Sequence, residues 1–252
     1  MQNILIVKTG TTYPSLNEIK GDFDAWIVKG LGRGCPFGTE CIDVFKGGEL
    51  PEPEAYAGVI VTGSHDMVTQ HARWSERTAE WLLKAVRAAV PTLGICYGHQ
   101  LLAYACGGTV GDNPEGLEFG TVVVTPTLAG HDDALLREFR GPFKAHMCHQ
   151  QSVLVPPPGA VVIATTRMDA CAAFSIGRCV WGVQFHPEFD SRIMKVYVLR
   201  NRDALSRHGG QVQNVFSSCM ETGSGHEIFR RFVGVMCERF GASPDYFSVR
   251  AV

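Results

Sequence analysis

The stretch Pro91-Thr92-Leu93-Gly94-Ile95-Cys96-Tyr97-Gly98-His99-Gln100-Leu101-Leu102 constrains the fold more than any other part of this chain. A short apolar run stops at Gly94-Ile95-Cys96-Tyr97-Gly98, and a helix-like stretch begins at once. Glycines two positions either side of a cysteine predict a sharp turn from strand into helix. The thiol is then presented on a strained corner, the geometry of a nucleophile elbow with Cys in place of Ser. Such a corner also puts Cys96 at a helix N-terminus, where the dipole and unpaired N–H groups favour a thiolate. A lone free cysteine is more often a small core hydrophobe, so the corner acquires meaning from what surrounds it.

The surroundings predict an α/β fold. Residues 4–7 read as a buried strand, 42–45 as a second, and 57–62 as a third that ends at Gly63. Over 74–90 the apolar positions Trp74, Trp81, Leu82, Ala85, Val86 and Ala89 recur at helical spacing with charged residues between them. Pro91 ends that helix, 92–96 form the next strand, and a short helix over 99–106 closes at Gly107-Gly108. Strands alternating with helices imply a mostly parallel central sheet, flavodoxin-like, with helices on both faces. Functional groups then collect at the carboxyl ends of the strands, where Gly63 and Cys96 both fall. Further on, 121–125, 161–165 and 172–176 are β-rich, and Gly177-Arg178 reads as a hairpin turn into 179–185. These add a small antiparallel layer. Pro156-Pro157-Pro158-Gly159 reads as a rigid turn, and amphipathic helices are expected over 191–207 and 226–240. The expected organisation is a catalytic domain over 1–190 with a helical C-terminal extension, 191–252, packed on it.

Composition excludes several classes. A net charge of −2 gives no electrostatic reason to expect nucleic acid or an anionic membrane as partner. No stretch approaches the ~20 apolar residues of a membrane span, and the first residues carry too short an apolar run for a signal peptide. The nine cysteines are odd in number, irregularly spaced and without a CxxC pair. They read as free thiols of a reducing cytoplasm, mostly core filler. His146, Cys148 and His149 fit no closed zinc spacing, so no metal is expected. Gly30-Leu31-Gly32-Arg33-Gly34 lacks the Gly-Lys-Ser/Thr of a phosphate loop, and no cofactor is expected. Cys106 and Cys179 lie in apolar runs, and Trp74, Trp81 and Tyr104 suit helix–sheet packing.

A cysteine nucleophile needs a base, and the base needs an orienting group. Val183-Gln184-Phe185-His186-Pro187-Glu188-Phe189 supplies both at a strand end. Residues i and i+2 of an extended chain point to the same face, roughly 6.5 Å apart, so His186 and Glu188 can face one cleft. Pro187 between them stiffens the arrangement. Taken alone, His-Pro-Glu could be an ordinary turn; with the cysteine corner in the same chain the catalytic reading prevails.

Together, 94–102 and 183–189 resemble the class I (triad) glutamine amidotransferases, and the likeness covers roughly residues 1–190. The final stretch is similar to the tail of stand-alone relatives of the GMP synthase glutaminase domain. The resemblance implies that Cys96 is the nucleophile, His186 the general base and acid, and Glu188 the residue that orients it. It implies an oxyanion hole from the N–H of Tyr97 and the turn at Gly63 and Ser64. There the chain departs from the family, placing Ser64 and His65 where a second glycine and a proline are common. Gln100 matches a position lining the glutamine pocket. The 144–153 segment resembles a substrate-gripping turn, with Gln150 and Gln151 in place of the small residue expected. Residues 113–120 resemble a family loop. Two functions stay open. One is a glutaminase that splits glutamine into glutamate and ammonia through a γ-glutamyl thioester and serves a separate synthetase, since only about sixty residues follow Glu188. The other is a stand-alone γ-glutamyl peptidase or hydrolase using the same three residues. A non-catalytic binding protein on this scaffold is the remote third.

Overall fold

A computed structural model of the chain describes residues 2–241; Met1 and 242–252, the end of the expected extension, lie outside the described residues. The elements run β1 (Ile4–Lys8), α1 (Pro14–Lys20), α2 (Phe23–Leu31), β2 (Thr39–Asp43), β3 (Gly58–Val61), α3 (Arg73–Arg87), β4 (Thr92–Ile95) and α4 (Tyr97–Ala105). They continue with β5 (Thr109–Asp112), β6 (Glu118–Pro126), α5 (Leu128–Asp132), β7 (Phe143–His149), β8 (Gln151–Val155), β9 (Ala160–Thr165), β10 (Ala173–Ile176) and β11 (Val180–Val183). Four helices follow: α6 (Ser191–Arg200), α7 (Arg202–Arg207), α8 (Val212–Ser218) and α9 (Ser224–Phe240).

One nine-stranded sheet carries the fold, in the order β2-β1-β3-β4-β11-β10-β9-β6-β7. The strands from β2 to β11 pair in parallel, and those from β11 to β7 pair antiparallel. The antiparallel strands therefore extend the same sheet, and β5 with β8 forms a separate two-stranded ribbon. The central strands β1, β3, β4 and β11 are buried along their whole length, as parallel strands covered on both faces must be. Their alternate side chains feed two cores. Ile6, Ile60, Leu93 and Ile95 face one side with Ile27 of α2 and Phe232 of α9. Leu5, Val7, Val59 and Val61 face the other with Leu82 of α3 and Leu101 of α4.

The apolar pair Val44-Phe45 is not in the second strand. That strand is the earlier, largely exposed Thr39–Asp43 at the sheet edge, and 44–46 turn as a 3-10 helix that buries Val44. An edge strand needs no continuous apolar run, which is why apolarity misplaced it. The 191–207 pattern breaks at Asn201 into α6 and α7. The 30–34 glycines close α2 and let α9 approach: a Cβ on Gly30 would stand 2.5 Å from the Phe229 ring. Among the described residues no helix is long and apolar enough to cross a membrane.

Candidate active site

The corner between β4 and α4 is built as the glycine spacing suggests, though for a more specific reason. Cys96 itself takes the left-handed backbone, φ 52° and ψ −101°, a conformation that costs a non-glycine residue energy and collects at functional sites. The flanking glycines serve close approach. A Cβ on Gly94 would overlap the Gly98 carbonyl, and a Cβ on Gly98 would stand 2.5 Å from the Val61 carbonyl oxygen of β3. The corner is pinned by the Cys96 N–H donating to Val183 O (2.9 Å) and the Gly98 N–H to Thr62 O (3.2 Å).

His186 and Glu188 follow the end of β11. They meet in a turn rather than along an extended strand: the Phe189 N–H donates to His186 O (3.4 Å), with Pro187 at the turn's second position, where proline's fixed φ is favoured. His186 Nδ1 lies 2.7 Å from Glu188 Oε1, and both side chains are almost wholly buried. The imidazole also lies close enough to Cys96 for the two to interact. Burial alone would pull the His186 pKa down, but the Glu188 carboxylate and Cys96 outweigh it and hold it well above the ordinary imidazole value. The Cys96 sulfur is 3.8 Å from Cys148 O. Burial, then the neighbouring Cys96, pushes the Cys148 thiol well above its usual range. Cys96 is thus the cysteine beside His186.

Gly63 lies against this pair, because a Cβ there would stand 3.1 Å from His186 Cε1 and 3.8 Å from Cys96 Cβ. Ser64 Oγ accepts from the Asp66 N–H (3.1 Å) and caps the turn after β3. Tyr97 is buried, its hydroxyl 2.6 Å from Ser75 Oγ. Gln100 sits deep: its Nε2 donates to Gln151 O (2.7 Å) and Gln184 Oε1 (3.0 Å), tying α4 to β8 and β11. Gln151 likewise turns its Nε2 to Thr69 Oγ1 and Asp112 Oδ1. Both amide nitrogens therefore hold the pocket wall together, while Gln150 is exposed at its rim. The 144–153 segment forms β7 and β8 around Gln150, and His149 braces it with Nδ1 2.9 Å from Gln151 O and Nε2 3.1 Å from Glu118 Oε2. His146 instead lies 3.2 Å from Thr121 Oγ1, and burial, then the His186 charge, lowers its pKa to about 4.

A cavity of about 270 Å³ opens at Cys96, lined there by Gln100, Cys148 and Gln151. Its lining also includes Tyr13, His65, Tyr197 and Asn201. Tyr13, Tyr197 and Asn201 carry no local signature, and only the fold brings 13 and 197 together. His65 had a signal, since it occupies the position where the turn departs from the family pattern. Among the described residues no group of His, Cys, Asp and Glu gathers that could hold a metal ion.

The glutamine amidotransferase class-I family profile matches residues 43–204, well over half of the chain and the part holding the elbow, most of the cavity lining and the His186–Glu188 turn. A GMP synthase (glutamine-hydrolyzing) of Aeropyrum pernix is 40% identical over 52% of this chain, and the chain spans only 24% of that relative's length. Gamma-glutamyl peptidase 4 of Arabidopsis thaliana is 28% identical over 77% of each chain. In fold, a glutamine amidotransferase from Thermotoga maritima superposes with a TM-score of 0.72 over 96% of this chain and all of its own, at 20% identity. The chain belongs to the class I glutamine amidotransferase family.

Proposed function

We propose that the chain hydrolyses a γ-glutamyl amide through a thioester on Cys96, with His186 as proton carrier and Glu188 as its orienting carboxylate. The observation that carries this reading is the contact of His186 with both Cys96 and Glu188 beneath a cysteine held at φ 52°. The thiolate attacks the γ-carbonyl carbon and its electron pair moves to oxygen. The Tyr97 N–H is the first oxyanion donor, because the N–H groups on either side of it already donate to carbonyls. The turn at Gly63 and Ser64 supplies the second. Collapse breaks the C–N bond, and the leaving nitrogen takes the proton from His186. Water then gives a proton to His186 and attacks the thioester, releasing glutamate and restoring the thiolate.

Glutamine is the simplest such substrate, and its ammonia would serve a synthetase, in keeping with the GMP synthases that this chain resembles over part of their length. A second reading, hydrolysis of γ-glutamyl peptides or conjugates without a partner, is favoured by the extra cavity lining at Tyr13, His65 and Tyr197 and by the evenly covered peptidase relative. Purified protein given glutamine and a γ-glutamyl dipeptide, with glutamate and ammonia measured, tests the shared chemistry. Cys96→Ala should abolish turnover of both; turnover that survives it removes the thioester.

A further inference from the structure

We infer that the cavity holds a leaving-group subsite for an amine that bears an aromatic ring, so that the preferred substrate is a γ-glutamyl amide whose nitrogen substituent carries such a ring. This rests on the thioester reading above and goes beyond it by naming the leaving group. The leaving nitrogen must come within reach of His186 to take its proton, so any substituent on it lies on the His186 side of the cleft. An unbroken series of rings starts there. The His186 imidazole stacks on Phe189 with centroids 4.0 Å apart, and Phe189 meets Tyr197 at 4.9 Å. Tyr197 then meets Tyr13 at 5.1 Å and His65 at 5.7 Å, and Tyr13 meets His65 at 4.6 Å.

The last three rings line the cavity, and they are held in place. Tyr197 Oη lies 2.8 Å from Thr12 Oγ1 and 3.3 Å from His65 Nε2, and Asn201 Nδ2 donates to Tyr13 Oη at 2.9 Å. Both tyrosine hydroxyls and His65 Nε2 are thus engaged, which leaves ring faces and edges as most of the surface on offer. Pre-positioned rings of this kind favour another ring in offset or edge contact at little ordering cost. The wall also carries little charge. Among the described residues no Lys or Arg lines the cavity and Asp66 is the one carboxylate, and burial together with the His186 charge lowers the His65 pKa. Ammonia, the leaving group of glutamine, would use none of this surface. His65 enters the wall from the turn where the chain departs from the usual Gly-Gly-Pro pattern, so the departure adds a ring where the family commonly has proline.

The discriminating pair is γ-glutamylphenethylamide and γ-glutamylethylamide, which release amines of similar basicity and differ by the phenyl ring. The full chain should hydrolyse the phenethylamide with kcat/KM at least about tenfold higher, the order expected for an apolar group filling a matched pocket. Tyr13→Ala should bring the ratio of the two constants to within about threefold. His65→Ala should lower the same ratio in the same direction. Ratios near one in the unaltered protein, with turnover still lost in Cys96→Ala, overturn the subsite and leave the thioester standing. The same holds for a high ratio that both wall variants leave unchanged. If neither amide nor glutamine shows Cys96-dependent hydrolysis, the reading beneath the subsite falls, and the subsite with it.

Discussion

Replacing Glu188 by Gln preserves the shape of the His186 partner and removes its charge. His186 Nδ1 and Glu188 Oε1 are 2.7 Å apart, with side-chain exposures of 3% and 0%. At an effective dielectric near 20, two unit charges ~4 Å apart attract by about 4 kcal/mol. At about 1.4 kcal/mol per pKa unit that is worth roughly three units. An imidazolium without its carboxylate would face the burial that already pulls His186 down, so its elevated pKa should fall back toward or below the ordinary value. The thiolate–imidazolium pair then becomes scarce at neutral pH, and Gln can present its NH2 to Nδ1 and favour the wrong tautomer. A loss of roughly a hundred- to ten-thousandfold in kcat/KM for amide hydrolysis is expected. The sign of the pH effect is fixed as well: a lowered His186 pKa moves the basic limb of the kcat/KM profile to lower pH. Steady-state kinetics across pH on protein with unchanged circular dichroism measures both. A loss under about tenfold with an unmoved basic limb would refute Glu188 as the group that charges and orients His186.

Gly94→Ala should destabilise the fold, because its Cβ meets two backbone groups that cannot rotate away, the Gly98 carbonyl and the His99 nitrogen at 2.9 Å. Overpacking of about 2 kcal/mol corresponds to a fall in Tm of about 5 °C for a domain of this size; an unchanged Tm in calorimetry contradicts the close approach. Asp22 caps α2, accepts from the N–H groups of Thr12 (2.8 Å) and Phe23 (2.9 Å), and pairs with Lys8 at 2.9 Å. Burial would raise its pKa, but bonds from Thr11, Lys8, Thr12 and Phe23 outweigh it and lower it. Its stabilisation is therefore present above about pH 4 and lost as pH falls through the depressed value. Asp22→Asn should cost about 3 kcal/mol at pH 7 and progressively less below pH 4; a pH-independent deficit in urea unfolding contradicts this. Burial also lowers the pKa of His99 to about 3 and that of His146 to about 4. Groups held neutral when folded stabilise fully above the unfolded value near 6.5 and lose that contribution as pH falls below it. The urea midpoint should decline steadily from pH 6.5 to 4.5, and a flat midpoint over that range contradicts it.

The parallel half of the sheet was legible because β1, β3 and β4 are uninterrupted apolar runs and α3 has a regular apolar stripe. Glycine–cysteine spacing marked the elbow, since Gly94 and Gly98 are required by backbone contacts that any side chain would block. Less was legible where tertiary pairing decides. The edge strand β2 is polar, and β7 and β8 lay hidden in a segment read by resemblance as a turn. Gln100 and Gln151 carry motif positions, yet their amide nitrogens turned out to brace strand ends, which depends on where β8 and β11 pass. The aromatic wall was the least accessible part. Tyr13 and Tyr197 stand far apart in the sequence, and only the docking of α6 beside α1 makes them neighbours.

The thioester is tested most directly by trapping it. The protein would be mixed with glutamine or a γ-glutamyl amide, quenched in acid during turnover, and digested for peptide mass mapping. A γ-glutamyl adduct is expected on the peptide containing Cys96, absent in Cys96→Ala and discharged as a hydroxamate by hydroxylamine. An adduct mapping to another of the nine cysteines, or steady hydrolysis with no adduct on any of them, would contradict the central claim.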